Sequence, residues 1–412
     1  MDKKLNIVFD YVNSESKELA RFNCNSFDGT FFDPNGFFEK INFKQIKKCG
    51  LDDVNDIEKF YYVINTPNNS DRLIESNRGL PLTNEIINLI KNKPNFNIIY
   101  LNESESDVPN VCEVIENEIE KLNLNPKQFF ILTNNAKLYS KKVNFHNTDS
   151  LFFTQVPHLL NFDCDFLKDK KFLFMTHNRN PKPSRYALIG LLKKYGILNE
   201  TDWSLIITNG FRNIDESIKL GWFSNILEFN ILHDLSSQID FLSSIEQKRS
   251  FFEEDFNIKG LESYIPPEVP VDGGQNIMTT FMCETYMNSY INLTVESNFE
   301  TNNMVHITEK SYKPFYFYQL PMILATYEHT KYVKEKFKVD LFEDLIDFDY
   351  DTESDNRKRF TKYINEVKRL YTKKDDVKKF YVENKERFLN NKQIIIDGLN
   401  NKKDSDYLLK LI

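Results

Sequence analysis

The sequence predicts an α/β protein with two parallel sheets in tandem, and three observations carry that expectation. Strand-length apolar runs recur at Leu5–Val12, Phe60–Asn65, Asn97–Leu101 and Gln128–Thr133. Between the last two, Val111–Leu122 (VCEVIENEIEKL) places its apolar residues at helical spacing, so the local pattern is β-α-β and the strands are parallel. A second β/α series then runs through Lys171–Thr176, Ser204–Thr208, Ser289–Val295 and Leu320–Ala325. At 412 residues the chain exceeds what one hydrophobic core usually supports, which agrees with two domains.

The remaining elements follow in order. Pro183 and Ser184 open a helix after Lys171–Thr176, with Leu188, Leu191, Leu192 and Tyr195 on its buried face and Gly196 placed as its C′ residue. Residues 210–285 are irregular, with Pro266, Pro267 and Pro270 near Gly273 and Gly274, and read as a long active-site or hinge insertion. Pro314 requires the next helix to start close to Thr308. From about residue 356, Phe360, Ile364, Val367, Leu370 and Tyr371 form one apolar stripe, and a second helix follows from Asp375. The expected domains are 1–165, 166–355 and a helical, basic tail at 356–412.

Composition excludes several function classes. With 41% hydrophobic residues, 36 Phe and 20 Tyr, the chain is neither disordered nor fibrous. A net charge of −8 argues against a field dominated by phosphate-backbone binding, although residues 357–412 carry 16 basic against 8 acidic side chains. That tail either packs with solvated lysines or offers a docking face for an anionic acceptor or membrane surface. The five cysteines show no CxxC and no short spacing, so neither a zinc site nor a disulfide framework is expected, and a reducing cytoplasm fits best. Neither a signal peptide nor a membrane span is expected. No GxGxxG or Walker A sequence occurs, which argues against dehydrogenases and P-loop ATPases.

Candidate chemistry clusters behind the strands, where α/β sheets bind ligands. Val305–Pro314 (VHITEKSYKP) puts Lys310 at the positive end of a helix dipole, a conflict that a bound phosphate would resolve. Arg179, Lys182 and Arg185 surround another helix start and suit a diphosphate, since guanidinium groups bind phosphate oxygens bidentately. Leu293–Asn298 (LTVESN) ends a strand with Glu296 and Asn298, which suit sugar hydroxyls. Asp163-Cys164-Asp165 is formally a D-x-D, without the preceding strand of a metal-nucleotide motif. Asp347, Asp349 and Asp351 read as a solvated acidic loop, and His177 and His306 lie beside the two basic motifs. No metal site is expected.

The string SYINLTVESNFETNNMVHITEKSYKPFYFYQLPMIL resembles the C-terminal pattern of the α1,3-fucosyltransferase family, glycosyltransferase family 10. That pattern runs aromatic-x-L-x-F-E-N-S, a spacer, D-Y-[VI]-T-E-K, a helix and V-P-V-V. Glu296, Ile307, Thr308, Glu309, Lys310 and Pro321 match it, Ser184-Arg185 is similar to the family's small residue followed by Arg, and Tyr100–Ser104 (YLNES) is similar to the strand entering its M-E-S-P motif. Departures are a longer spacer, Ser297 in place of Asn, and Glu105 in place of Pro.

The resemblance implies a GT-B glycosyltransferase: two facing Rossmann-like domains with C-terminal amphipathic helices, the nucleotide sugar on the second domain and the acceptor on the first. It implies inverting transfer from a GDP- or UDP-sugar to a glycan or other hydroxyl, with no obligatory cofactor. Glu103, or Glu105 in its place, would be the base. Arg185 and Lys310 would hold the diphosphate at open helix starts, Glu309 the ribose, and Glu296 and Asn298 the sugar or base. It also points to a phage or large-virus type acting in a host cytoplasm. Two alternatives stay open: transfer to hypermodified DNA bases, with nucleic acid as the partner, and a non-catalytic nucleotide- or carbohydrate-binding protein.

Overall fold

The computed structural model describes residues 4–8, 45–65, 82–102, 111–148, 165, 166, 169–178, 183–205, 286–296, 299, 304–399 and 403–411. The chain forms two compact units. The first comprises Met1–Thr154, Asn303–Ile307 and Asn400–Ile412, and the second Gln155–Asn302 and Thr308–Leu399.

Six parallel strands make the sheet of the first unit: β1 (Leu5–Val8), β2 (Ile46–Cys49), β3 (Phe60–Asn65), β4 (Phe96–Asn102), β5 (Phe129–Thr133) and β6 (Asn144–Asn147), in the order β2-β1-β3-β4-β5-β6. Its central strands β3, β4 and β5 are largely apolar at consecutive positions because both faces are covered, as parallel sheets require. Phe60, Tyr62, Ile64, Ile98 and Tyr100 face one core, packed by Ile86 and Ile90 of α1 (Asn84–Asn92) and by Val111, Ile115 and Ile119 of α2 (Val111–Lys121). Thr83 caps α1 by accepting the Ile86 amide. Leu5, Ile7, Tyr61, Val63, Ile99 and Leu101 face the other core, with Leu408 and Leu411 from the chain's C-terminal end.

The second unit holds four parallel strands, β7 (Phe172–Asn178), β8 (Thr201–Leu205), β9 (Ser289–Val295) and β10 (Leu320–Leu324), in the order β10-β9-β7-β8. Among the described residues the strand order reverses between β7 and β9, and that switch point is where open α/β sheets take ligands, outside the carboxyl ends of the strands. Helix α3 (Pro183–Lys194) follows β7 and ends as its sequence demands: Gly196 adopts φ +69°, and the Ile197 amide reaches back to the Leu192 carbonyl at 2.8 Å. After β9 and β10 come α4 (Glu309–Tyr316) and α5 (His329–Phe337), and then α6 (Asn356–Thr372), α7 (Lys374–Glu383), α8 (Lys385–Leu399) and α9 (Lys403–Leu409), the last in the first unit. Phe360, Ile364, Val367 and Leu370 of the predicted stripe are all buried.

The basic tail finds its counter-charges within the second unit. Lys362 pairs with Asp349 at 2.8 Å and Lys374 with Glu200 at 3.0 Å, while Arg387 grips both Asp340 and Asp344 with its planar fork. Other tail lysines lie over aromatic rings instead, Lys368 over Tyr195 and Lys392 over Tyr316. The long insertion expected over 210–285 lies outside the described residues, and no described helix is long and apolar enough to cross a membrane.

Candidate functional site

The second unit gathers a polar cluster behind β9, at the switch point of its sheet. Glu296 follows the last residue of β9 and is only 2% exposed. Its carboxylate accepts the Thr308 hydroxyl at 2.9 and 2.8 Å and the Ser311 hydroxyl at 2.5 Å. Thr308 is the N-cap of α4, taking the Lys310 amide on its Oγ1 at 3.3 Å. Beyond Ser311, His329 Nε2 lies 2.8 Å from the serine hydroxyl.

Local sequence explains why α4 sits so close to β9. Pro314 has no N–H for the Lys310 carbonyl one turn earlier, and the Thr294 hydroxyl of β9 lies 3.3 Å from that carbonyl and 2.9 Å from Asn292 Oδ1, its closer acceptor. The Glu296 carboxylate, through Thr308 and Ser311, ties the helix start to the end of β9.

Glu309 and Lys310 open the first turn of α4. Lys310 Nζ is 3.0 Å from Glu309 Oε1, and both side chains remain partly accessible. Burial pushes the Glu309 carboxyl up, but the cations of Lys310 and Lys313 and the hydrogen bond from Lys310 outweigh it and hold the group at about 2. The conflict of a lysine at a positive helix end is therefore met inside the chain, by an ionised neighbour.

This depressed value carries a sign. The Glu309 contribution to folding is complete above the ordinary value of 4.5 and is lost as pH falls from there towards 2. The full contribution is about 3 kcal/mol, of which about 2 disappear between pH 6 and pH 3. Urea unfolding at those two pH values is expected to show the wild type losing about 2 kcal/mol more than Glu309→Gln; equal losses would contradict the ion pair.

The other predicted residues fall as follows. Arg185 is not at an open helix start: it is 3% exposed, and its Nη2 donates to the Val295 carbonyl at 3.1 Å. The reason is geometric, since the first turn of α3 follows β7, the strand beside β9, and its side chain crosses to the end of that neighbour. Glu296, expected to present its carboxylate to a sugar, instead holds the cap of α4. Glu103, Glu105, Arg179, Lys182 and Asn298 lie outside the described residues, as do Asp163 and Cys164. Asp347, Asp349 and Asp351 face different partners: Asp347 takes the Asp349 amide, Asp349 pairs with Lys362, and Asp351 takes the Thr330 and Lys331 amides. Among the described residues no group of three or more His, Cys, Asp or Glu is placed to hold a metal. His177 lies 3.6 Å from Asp202, and His306 is buried in the segment 303–307 that belongs to the first unit.

His329 and Ser311 were not singled out by the sequence. Their juxtaposition joins residues 18 positions apart across two helices, and no local spacing announces it. No family model matches the chain, and neither a curated protein nor a solved structure matches it. The likeness to the fucosyltransferase pattern rests on the residues themselves.

Proposed function

We propose that the chain is a glycosyltransferase of GT-B type that moves a sugar from a nucleoside-diphosphate sugar to a hydroxyl acceptor with inversion. The observation that supports this most is the Thr308-Glu309-Lys310 start of α4, fastened to the end of β9 at the switch point of a parallel sheet. A cation beside a helix N-terminus suits the diphosphate, and an ionised carboxylate next to it accepts two vicinal ribose hydroxyls.

In this reading the acceptor oxygen attacks the anomeric carbon while the bond from that carbon to the diphosphate oxygen breaks. The hydroxyl proton passes to a carboxylate, Glu103 or Glu105, and the nucleoside diphosphate leaves with a growing negative charge. Lys310 and the helix terminus stabilise that charge electrostatically. Arg185 acts through the end of β9, which its guanidinium holds. The basic tail, which would favour a DNA acceptor, directs Lys362, Lys374 and Arg387 to acidic groups of its own chain, so a hydroxyl acceptor outside nucleic acid is the better reading.

Calorimetry with GDP and UDP tests the donor site. Lys310→Ala is expected to weaken binding of the preferred nucleotide by roughly 10- to 150-fold, the scale of one lost charge-assisted contact. Wild-type affinity in that variant would remove the donor assignment.

A further inference from the structure

We infer that Ser311 and His329 are positioning residues for the nucleotide-binding helix start, and that they act by fixing which way the hydrogen bonds around Glu296 point. The inference rests on the transferase reading for its ligand, but its geometry stands on the buried cluster alone. Glu296, Thr308, Ser311 and His329 are each at most 2% exposed, so bulk water does not set the direction of these bonds.

Taking Glu296 as ionised is part of the inference, and the proton count then sets the direction. Ser311 has one hydroxyl proton and two close partners, Glu296 Oε1 and His329 Nε2. With Glu296 ionised, the hydroxyl must donate to the carboxylate and accept from an Nε2–H of His329. The reverse polarity needs a protonated Glu296 and a bare Nε2. Thr308 also has a single proton, and both Glu296 oxygens lie within reach of its hydroxyl. Donating that proton to an ionised carboxylate leaves the Thr308 lone pairs to cap the Lys310 amide. The chain His329 to Ser311 to Glu296 to Thr308 therefore carries one polarity through to the backbone at Lys310.

The backbone that carries His329 is itself held in place. The chain enters α5 through Glu328 at φ +63°, the Glu328 amide donates to the Asp351 carbonyl at 2.8 Å, and the Asp351 carboxylate accepts the Thr330 and Lys331 amides of the first turn.

The test uses the full chain labelled with ¹⁵N in its imidazoles, with the His329 signals assigned by their loss in His329→Gln. Long-range ¹⁵N–¹H spectra are expected to show the Nε2–H tautomer, with that proton's resonance displaced in Ser311→Ala. GDP and UDP calorimetry is expected to give the wild type and His329→Gln affinities within about twofold, because the amide of Gln still donates. His329→Leu and Ser311→Ala should bind roughly 5- to 30-fold more weakly, the scale of one buried hydrogen-bond partner removed. An Nδ1–H tautomer, or wild-type affinity in Ser311→Ala, overturns the inference while leaving the transferase reading in place. Ser311→Ala removes a single oxygen and decides the matter even if His329→Leu does not fold. A wild type that binds neither nucleotide overturns the transferase reading, and the positioning role with it.

Discussion

Replacing Arg359 by Ala is expected to destabilise the second unit by roughly 3–5 kcal/mol, the cost of leaving several buried carbonyls without their charged donor and of the cavity that opens. Arg359 is 1% exposed although it lies on α6 among lysines. Its Nε donates to the Ala325 carbonyl at 3.0 Å, Nη1 to the Glu353 carbonyl at 2.7 Å and Nη2 to the Phe299 carbonyl at 2.8 Å, with the Phe299 ring 5.0 Å from the guanidinium carbon. One side chain thus joins the segment after β9 to the segment after β10. Burial pulls its pKa down to about 10, with Asp351, Glu353 and Asp355 opposing the fall, so the group stays charged near neutrality. Removing it leaves three carbonyls without their donor and opens a cavity. Arg359→Lys keeps the charge but lacks the planar fork, and should recover less than half of the loss. Urea denaturation with near-ultraviolet detection measures both; a loss below about 1 kcal/mol for Arg359→Ala would show that these bonds are replaced by water.

The same arginine shows where sequence reading stops. Its position on α6 was visible, because Phe360, Ile364, Val367 and Leu370 announce the helix, but a charged residue next to an apolar stripe reads as solvated unless its acceptors are known. Two of those acceptors are backbone carbonyls 34 and 60 residues away. Central strands were legible because a parallel sheet buried on both faces demands unbroken apolar runs, as in Phe60–Asn65 and Ser289–Val295. The edge strands β2 (IKKC) and β6 (NFHN) were not, because an edge carries polar and lysine side chains that leave no periodic signal.

At the site, local chemistry was readable and long-range chemistry was not. Thr308 as a cap, Pro314 near a helix start and Gly196 at a left-handed position each follow from the residue's own backbone preferences. Burial of Arg185 and Glu296 does not, since it depends on which strand lies beside which. Sheet order places β9 next to β7, and that adjacency lets Arg185 reach the Val295 carbonyl. Of the predicted basic groups that the structure describes, Lys310 keeps a partly accessible side chain and Arg185 does not.

Glu103→Gln is expected to keep nucleotide affinity and to slow the chemical step by roughly 10²- to 10⁴-fold, the usual scale of general-base catalysis. An acceptor hydroxyl is too weak an acid to lose its proton before attack, so a carboxylate must take it as the new bond forms. Glu103 is the first residue after β4, whose register runs to Leu101 beside β3 and to Asn102 beside β5. Residues that follow the carboxyl ends of parallel strands supply the chemistry in this class of sheet. Gln preserves the shape and one acceptor oxygen but cannot accept the proton, so the loss should appear in single-turnover rates and not in nucleotide calorimetry. Glu105→Gln should then be mild; the opposite order would move the base two residues along the same chain segment and leave the mechanism standing. Wild-type single-turnover rates in both variants would show that neither carboxylate is the base, and the likeness of Tyr100–Ser104 to the acceptor-side motif would then carry no chemistry.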